Sequence, residues 1–403
     1  MTAPRPITDA LKILDSMLTL PLATYLETCT HCGVCADSCH LYQADANPIH
    51  IPSYKADFLR RVYKRYHTFA GRYLPWLVDA RDFTERELES WKDSVYQCTM
   101  CRRCSIACPI GIDNALIVRT SRTILSAMGK APALLEEHTR NACEVGSPLR
   151  VTREAFLERI AWLEEELQDA LDDDQIKIPL DKVGADFLYI AASLELMKFP
   201  QTILSTLKLF HAAGIDYTLS SVRYDVTNYG VFNGDDAATK AIAEKDVAEG
   251  ERLRVKTVVV SECGHAYRAL RWEAPNWLQR DLPFAVKDVV ELVHEWSAQE
   301  KLKLNPEHNP DAITYHDPCN MSRNSGMMEE PRTLLRRAAA DFREMTPNRE
   351  HNWCCGGGAG CCPCRSTMRR AWGPASRRRN KSNGRRPALS PRPAPIARCN
   401  WAR

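Results

Sequence analysis

Residues 29–39 read CTHCGVCADSC, and residues 98–109 read CTMCRRCSIACP. Each holds the spacing C-x2-C-x2-C-x3-C. Cys29, Cys32, Cys35 and Cys39 form the first run, and Cys98, Cys101, Cys104 and Cys108 the second, with Pro109 directly after it. Three thiolates at steps of three residues can wrap one corner of an iron–sulfide cube, and where two such runs occur the fourth Cys ligates the other cluster. The spacing therefore predicts two [4Fe-4S] clusters. A zinc ribbon is the competing reading, but it closes two separated C-x2-C knuckles on a single tetrahedral ion. Here each run already carries a full set of sulfurs.

Around these runs, composition narrows the class. A chain of 403 residues has room for two or three domains and a sizeable core. Seventeen Cys are too dilute for a disulfide-stapled secreted scaffold. Clustered thiols at metal-ligand spacing imply a reducing compartment instead. The start, MTAPRPITDALKIL, lacks the charged, apolar and small-residue sections of a signal peptide. No uninterrupted apolar stretch reaches the roughly 18 residues that span a bilayer. The expectation is a soluble chain whose membrane role goes through a partner. The net charge of +3 hides an asymmetry: twelve of the 54 basic residues and none of the 51 acidic ones lie in 361–403, leaving 42 against 51, a net of −9. A mildly acidic body gives no support for nucleic-acid binding.

Helical period marks residues 7–27, 53–92 and 115–175, the last ending in an acidic stretch from Glu164 to Asp174. The 53–92 connection is rich in bases and aromatic rings, among them Phe69, Arg72, Tyr73 and Trp76. It reads either as an amphipathic helix packing its rings on the cluster domain or as a docking face for a membrane subunit or anionic headgroups. From 185 onward strand-like runs at 186–192, 255–260 and 312–316 alternate with helical stretches at 194–213, 237–252, 285–299 and 329–341. Such alternation predicts parallel strands with covering helices. Two strands lead into cysteines, SECGH at 261–265 and HDPC at 316–319. Residues leaving the carboxyl ends of parallel strands share one crevice, so Cys263 and Cys319 are expected to be spatial neighbours.

Cys354 and Cys355 are adjacent and precede Gly356, Gly357 and Gly358. Adjacent cysteines pair poorly with each other but can ligate neighbouring irons, and the glycines let backbone pass close to a bulky core. A nucleotide loop competes for CGGGAG, yet no strand clearly precedes it and no helix follows.

With the two runs, ECGHA at 262–266, HDPCN at 316–320 and WCCGGGAG at 353–360, the chain resembles the CCG-domain iron–sulfur subunits, as in the D subunit of heterodisulfide reductase and the K subunit of the Dsr membrane complex of sulfur metabolism and sulfate reduction. The resemblance covers roughly residues 10–360. In that family's pattern CCG follows a Cys at a set distance, and here 34 residues lie between Cys319 and Cys354.

The resemblance implies an α plus α/β architecture. Residues 1–125 would form a helical ferredoxin-like domain with two [4Fe-4S] clusters, 126–184 a helical connector, 185–360 the α/β CCG domain with parallel strands, and 361–403 a basic tail. Cys108 would complete the cluster of Cys29, Cys32 and Cys35, and Cys39 that of Cys98, Cys101 and Cys104. A third, unusual [4Fe-4S] cluster would use Cys319, Cys354 and Cys355, with Cys263 the remnant of a first repeat. His265, His316 and Asp317 stand beside these cysteines and could pass protons; the bland reading is that they hydrogen-bond cluster sulfurs or cap strand ends.

The implied activity is reduction, or reverse oxidation, of a disulfide or trisulfide on a small sulfur-carrier protein. Electrons would be exchanged with quinone through a membrane cytochrome b. That places the chain in the cytoplasm, peripheral on the inner membrane, within a complex of further subunits. The competing function is pure electron transfer, as in the iron–sulfur partners of glycolate, lactate or glycerol-3-phosphate dehydrogenases. Those usually keep both CCG halves, whereas residues 186–200 here hold no Cys.

The carboxyl end departs from the family. A closing C-x2-C is expected well after CCG, yet Cys361, Cys362 and Cys364 come too early and Cys399 stands alone. Residues 361–403 have no acidic residue and no apolar periodicity, a composition that cannot bury a core. This predicts that the native reading frame is lost after Gly360; a genuine basic tail is the other reading.

Overall fold

The computed structural model describes residues 7–261 and 263–357. The amino-terminal part is helical: Ile7–Met17, Leu20–Thr28, Pro52–His67, Glu85–Tyr96 and Asn114–Ala127. Leu14, Leu26, Leu59, Trp91, Val95, Ile117 and Leu125 bring their apolar faces into one core. The start signals are local. Thr84 and Glu87 form a reciprocal capping box, and Asp113 accepts from the N–H groups of Ala115 and Leu116. The 53–92 stretch is not one helix. It breaks at Thr68, whose hydroxyl accepts from Gly71 N–H at 3.1 Å and starts the short helix Phe69–Tyr73. That helix folds back so tightly that a Cβ on Gly71 would lie 1.9 Å from the Lys64 carbonyl oxygen.

Each cysteine run winds into the same shape. His31 and Gly33 have φ of 54° and 85°, and Met100 and Arg102 have 52° and 60°. These are the second and fourth residues after the first Cys of each run. A short helix follows in both, Val34–Asp37 and Arg103–Ile106. One spacing thus encodes one backbone twice, and non-glycine residues accept the left-handed conformation at a cost of about 1 kcal/mol each.

The second part carries a parallel sheet. Strands β1 (Phe187–Ile190), β2 (Tyr217–Thr218), β3 (Thr257–Val260) and β4 (Ala285–Asp288) take the order β2-β1-β3-β4. Phe187 pairs with Thr257, and Thr257 with Ala285. All of β3 is buried, as a strand covered on both faces must be. Leu188, Ile190, Val258 and Val260 face the helix Asp236–Leu253 through Ala243 and Val247. Tyr189, Ala191 and Val259 face the helix Arg153–Leu171 through Phe156, Ile160, Leu163 and Leu167. Part of the stretch expected as a connector is therefore a covering layer of the sheet.

Two expectations are corrected here. The strand at 312–316 forms as β5 (Ala312–Tyr315), but it pairs in parallel with β6 (Asp341–Glu344) in a separate two-stranded sheet. The stretch 285–299 is not all helix: β4 occupies its start, and Asp288 then caps the helix Val289–Ala298 by accepting from Val290 N–H, with Glu291 completing the box.

A buried arginine knits the two parts. Arg122 donates to the carbonyls of Val95, Cys98 and Phe232 at 2.9, 2.6 and 3.0 Å. Gly234 (φ 88°) passes so close that a Cβ would lie 2.4 Å from the Arg122 carbonyl carbon. Arg122 thereby fixes the carbonyl of the first cysteine in the second run. No helix among the described residues is long and apolar enough to cross a membrane.

Candidate metal centres

The structure sorts the eight amino-terminal cysteines into two cavities. Cys29, Cys32 and Cys35 share one with Cys108, alongside His31, Ser53, Arg60 and Pro109. Cys98, Cys101 and Cys104 share the other with Cys39, alongside His40, Lys55 and Thr99. Each cavity thus takes three sulfurs from one run and the last sulfur of the other.

The donor set fits thiolate-ligated iron. Burial pushes the Cys104 thiol well up, and the neighbouring sulfurs of Cys101, Cys98, Cys39 and Cys35 push it further. Burial likewise raises Cys35 and Cys39, while Lys55 pulls Cys39 back. Lys55 itself is 1% exposed, and its ammonium nitrogen has no hydrogen-bond partner among the described residues. An orphaned buried cation at the wall of a crowded thiol cavity suits a group whose ligated form is anionic. Arg60 serves the other cavity, anchored by Nε to the Leu26 carbonyl at 2.6 Å and held near the Cys29 sulfur.

A third group of sulfurs centres on Cys354, which is 7% exposed. Its thiol faces Cys101, Cys319 and Cys355, and those contacts drive it well up. Cys101 is correspondingly held down by its bond with Cys354. The Cys355 thiol is brought down to about 5 by the hydrogen bond from Cys354. Ligand atoms of His40, Cys101 and Cys354 lie within 4.8 Å of one another, and Thr99 Oγ1 is 3.3 Å from Cys354 Sγ. The backbone N–H groups of Gly356 and Gly357 point back at the sulfurs of Cys354 and Cys355, each at 3.4 Å. The third sulfur group therefore abuts the second cavity directly, across the boundary between the two parts.

Two arginines hold it there. Arg323 donates to the carbonyl of Cys101 at 2.8 Å and to those of Glu350 and Asn352 at 2.9 and 2.6 Å. Arg103 reaches the His351 and Ser38 carbonyls at 2.9 and 3.0 Å and lies 3.5 Å over the Trp353 ring. Sequence reasoning missed Arg103, Arg323, Lys55 and His40. His40, directly after Cys39, and Arg103, directly before Cys104, carried the signal of their place beside a run cysteine; Lys55 and Arg323 carried none.

Cys263 comes alongside through packing. It stands directly before the helix Gly264–Arg268, and a Cβ on Gly264 would lie 2.7 Å from Met321 Cγ, two residues past Cys319. Arg268 then reaches Asn320 Oδ1 at 3.1 Å. The crevice thus forms between segments that leave different sheets.

The polar candidates divide. His265 lies in the core, its Nε2 3.0 Å from the Asn228 carbonyl and its ring centroid 3.8 Å from that of Phe232. Burial, then Arg268, pushes its pKa down to about 3, which favours the neutral imidazole, and its place in the core makes it a packing residue. Asp317 is also structural: fully buried, it is gripped by Arg332 through two bonds of 2.6 and 2.7 Å and accepts from Arg349 N–H at 2.7 Å. Burial would raise its carboxyl, but those bonds hold it below the usual range. His316 is the candidate left beside the sulfurs, facing Cys355 while its Nε2 lies 2.9 Å from the Trp353 carbonyl. The tail cysteines Cys361, Cys362, Cys364 and Cys399, and the expected frame loss, fall outside the described residues.

The comparisons agree with this geometry. Residues 25–112 match the 4Fe-4S dicluster domain, and residues 313–369 match the CCG cysteine-rich domain. The chain is 31% identical over 376 residues to the Hdr-like menaquinol oxidoreductase iron–sulfur subunit 2 of Archaeoglobus fulgidus, an alignment covering 83% of this chain and 67% of the relative. The chain belongs to the heterodisulfide-reductase-like iron–sulfur subunits. The dihydromethanophenazine:CoB–CoM heterodisulfide reductase of Methanosarcina acetivorans has a D subunit that is 26% identical, with 83% of this chain and 78% of that relative covered. The EtfAB:quinone oxidoreductase of Syntrophomonas wolfei is 24% identical, with 83% and 48% covered. No solved structure matches the chain. This member of the family is an oxidoreductase subunit with two [4Fe-4S] clusters, and its CCG half is consistent with a further one.

Proposed function

We propose that this chain is the catalytic subunit of a complex that passes electrons, in either direction, between a quinone-linked membrane cytochrome b and a disulfide or trisulfide on a small sulfur-carrier protein. The observation that carries the reading is the meeting of Cys319, Cys355 and Cys101 at Cys354, with Cys101 in the wall of the second amino-terminal cavity. Cys29, Cys32, Cys35 and Cys108 would hold the first relay cluster, and Cys98, Cys101, Cys104 and Cys39 the second. Cys319, Cys354 and Cys355, with Cys263 close by, would hold the third group. When bound, the clusters supply one-electron relay and, at the third site, a place where a sulfur–sulfur bond can be broken or formed.

The chain's own residues do the rest. Arg103 and Arg323 fix the loop 350–353 so that Cys354 stays against Cys101. Lys55 and Arg60 offset the charge of thiolates buried beside them. The Asp317–Arg332 pair pins the strand end from which Cys319 departs. His316 steadies the Trp353 carbonyl next to Cys355. Two electrons and two protons convert a disulfide to two thiols, so a site fed one electron at a time has to retain a half-reduced substrate. A cysteine-rich pocket next to a relay cavity meets that need. The alternative, a pure relay subunit, draws on the likeness to the EtfAB:quinone oxidoreductase.

Electron paramagnetic resonance of the anaerobically purified, oxidised protein separates the two. The proposal expects a signal that changes when a small thiol or disulfide is added. A spectrum indifferent to both leaves relay as the function. The working location would be the cytoplasmic face of the inner membrane, within a larger complex.

A further inference from the structure

Past the end of the helix Pro52–His67, the chain builds a spur whose apolar side chains face water. Phe69 is 78% exposed, Tyr73 60%, Trp76 74% and Leu77 70%. The rings of Phe69 and Tyr73 lie 4.8 Å apart, and Trp76 and Leu77 follow within four residues, so these exposed side chains are grouped on one short segment. The turn between the helices Ile7–Met17 and Leu20–Thr28 adds to the same end: His67 Nε2 pairs with Asp15 at 3.2 Å, and Leu20, five residues on, is 81% exposed.

The spur is a built structure. Besides the Thr68 cap and the close approach at Gly71, Arg65 donates to the carbonyls of Gly71 and Arg72 at 3.2 and 3.4 Å. Four bases, Lys64, Arg65, Arg72 and Arg81, surround it against Asp79 and Asp82, a net of +2 over residues 64–82. Asp82 lies 3.8 Å from Arg65, and Asp79 lies 3.8 Å from Arg81. No described ion pair engages Lys64 or Arg72. An exposed group of Trp, Tyr, Phe and Leu on a segment with surplus cations has the composition that settles at the headgroup boundary of a bilayer. Surplus positive charge selects the anionic leaflet.

We infer that the Phe69–Leu77 spur is a lipid-binding site, inserting its rings among anionic headgroups while Lys64 and Arg72 meet the phosphates. The helix that leads into the spur also lines both cavities. Ser53 and Arg60 line the first and Pro52 and Lys55 line the second. From Arg60 to His67 the helix rises only about 10 Å. Arg60, which lines the first cavity, therefore lies within about that rise of the spur's base.

The test is flotation of the anaerobically purified full chain with vesicles of phosphatidylcholine alone or mixed with phosphatidylglycerol. The wild type is expected to float with the mixed vesicles, to be released by salt, and to float poorly with phosphatidylcholine alone. Phe69→Ser, Trp76→Ser and Leu77→Ser together should cut binding at least tenfold, and Lys64→Gln with Arg72→Gln several-fold. All five positions lie outside the sulfur sites, so unchanged visible absorbance and melting temperature certify the variants' fold. Wild-type protein that stays unbound, or a triple variant that floats as well as wild type, overturns the inference. So does binding only to vesicles carrying a membrane protein subunit, which would make the occupant a protein surface. Vesicle attachment and the thiol-sensitive resonance signal are separate readouts, so either can fail alone.

Discussion

The two cysteine runs share a backbone and differ in what lies over them. The first is open: Cys32 is exposed, as are Val34 (42%) and, beside Cys108, Ile110 (44%). The second is roofed by residues 350–355, with Arg103 stacked on Trp353 and Arg323 bound to the Cys101 carbonyl. Local spacing sets the shape of a ligand loop, while position in the molecule sets its role. On the proposed reading, the open site suits exchange with something outside the chain, and the roofed one suits exchange with the sulfurs of its own cover.

Four changes would break or sharpen that contrast, taken from the largest expected effect down. Cys354→Ala should abolish disulfide turnover while both relay clusters survive, so iron and acid-labile sulfide fall by no more than one cluster's share. A larger loss would mean that the cover also holds the second cluster together. Arg332→Ala leaves the fully buried Asp317 without its cation. It should cost about 3–5 kcal/mol in the covering half, read as a lower denaturant midpoint. Arg323→Ala removes one bond across the boundary, to the Cys101 carbonyl, and two that hold the 350–352 loop of its own half, on the order of 2 kcal/mol. It should slow reduction of the CCG-half signal in rapid-freeze spectra without changing the first relay cluster. The smallest effect belongs to the open run. Gly33 has φ of 85° with nothing within 4 Å of an added Cβ, so Gly33→Ala should cost only the backbone term, about 1 kcal/mol. A thermal melt should move by a few degrees.

Much of this was legible in the residues. Steps of three between cysteines fix a local winding, and local windings need no knowledge of the rest of the fold. The strands at 187–190, 257–260 and 312–315 likewise showed as apolar runs within 186–192, 255–260 and 312–316. What stayed hidden is long-range or ambiguous in period. β4 (AVKD) runs straight into a capped helix, so its few residues blended into the helical pattern. β6 (DFRE) has one apolar side chain and is only half-buried or exposed, so alternation gave no signal. Which sheet β5 joins is a matter of topology, and neither its composition nor its spacing speaks to that. His265 looked chemical because Cys263 stands nearby, yet the chain turns it into the core against Phe232. The meeting of Cys101 with Cys354 joins residues from opposite ends of the chain, and no pattern within either motif could announce it.

The roof over the second run also bears on biosynthesis. The Arg103 bond to the His351 carbonyl links residues 248 positions apart, so the ribosome delivers the pocket long before it delivers the lid. Metal loading at that pocket has its widest opening during this interval, and a chain that closes empty would have to reopen before it could mature.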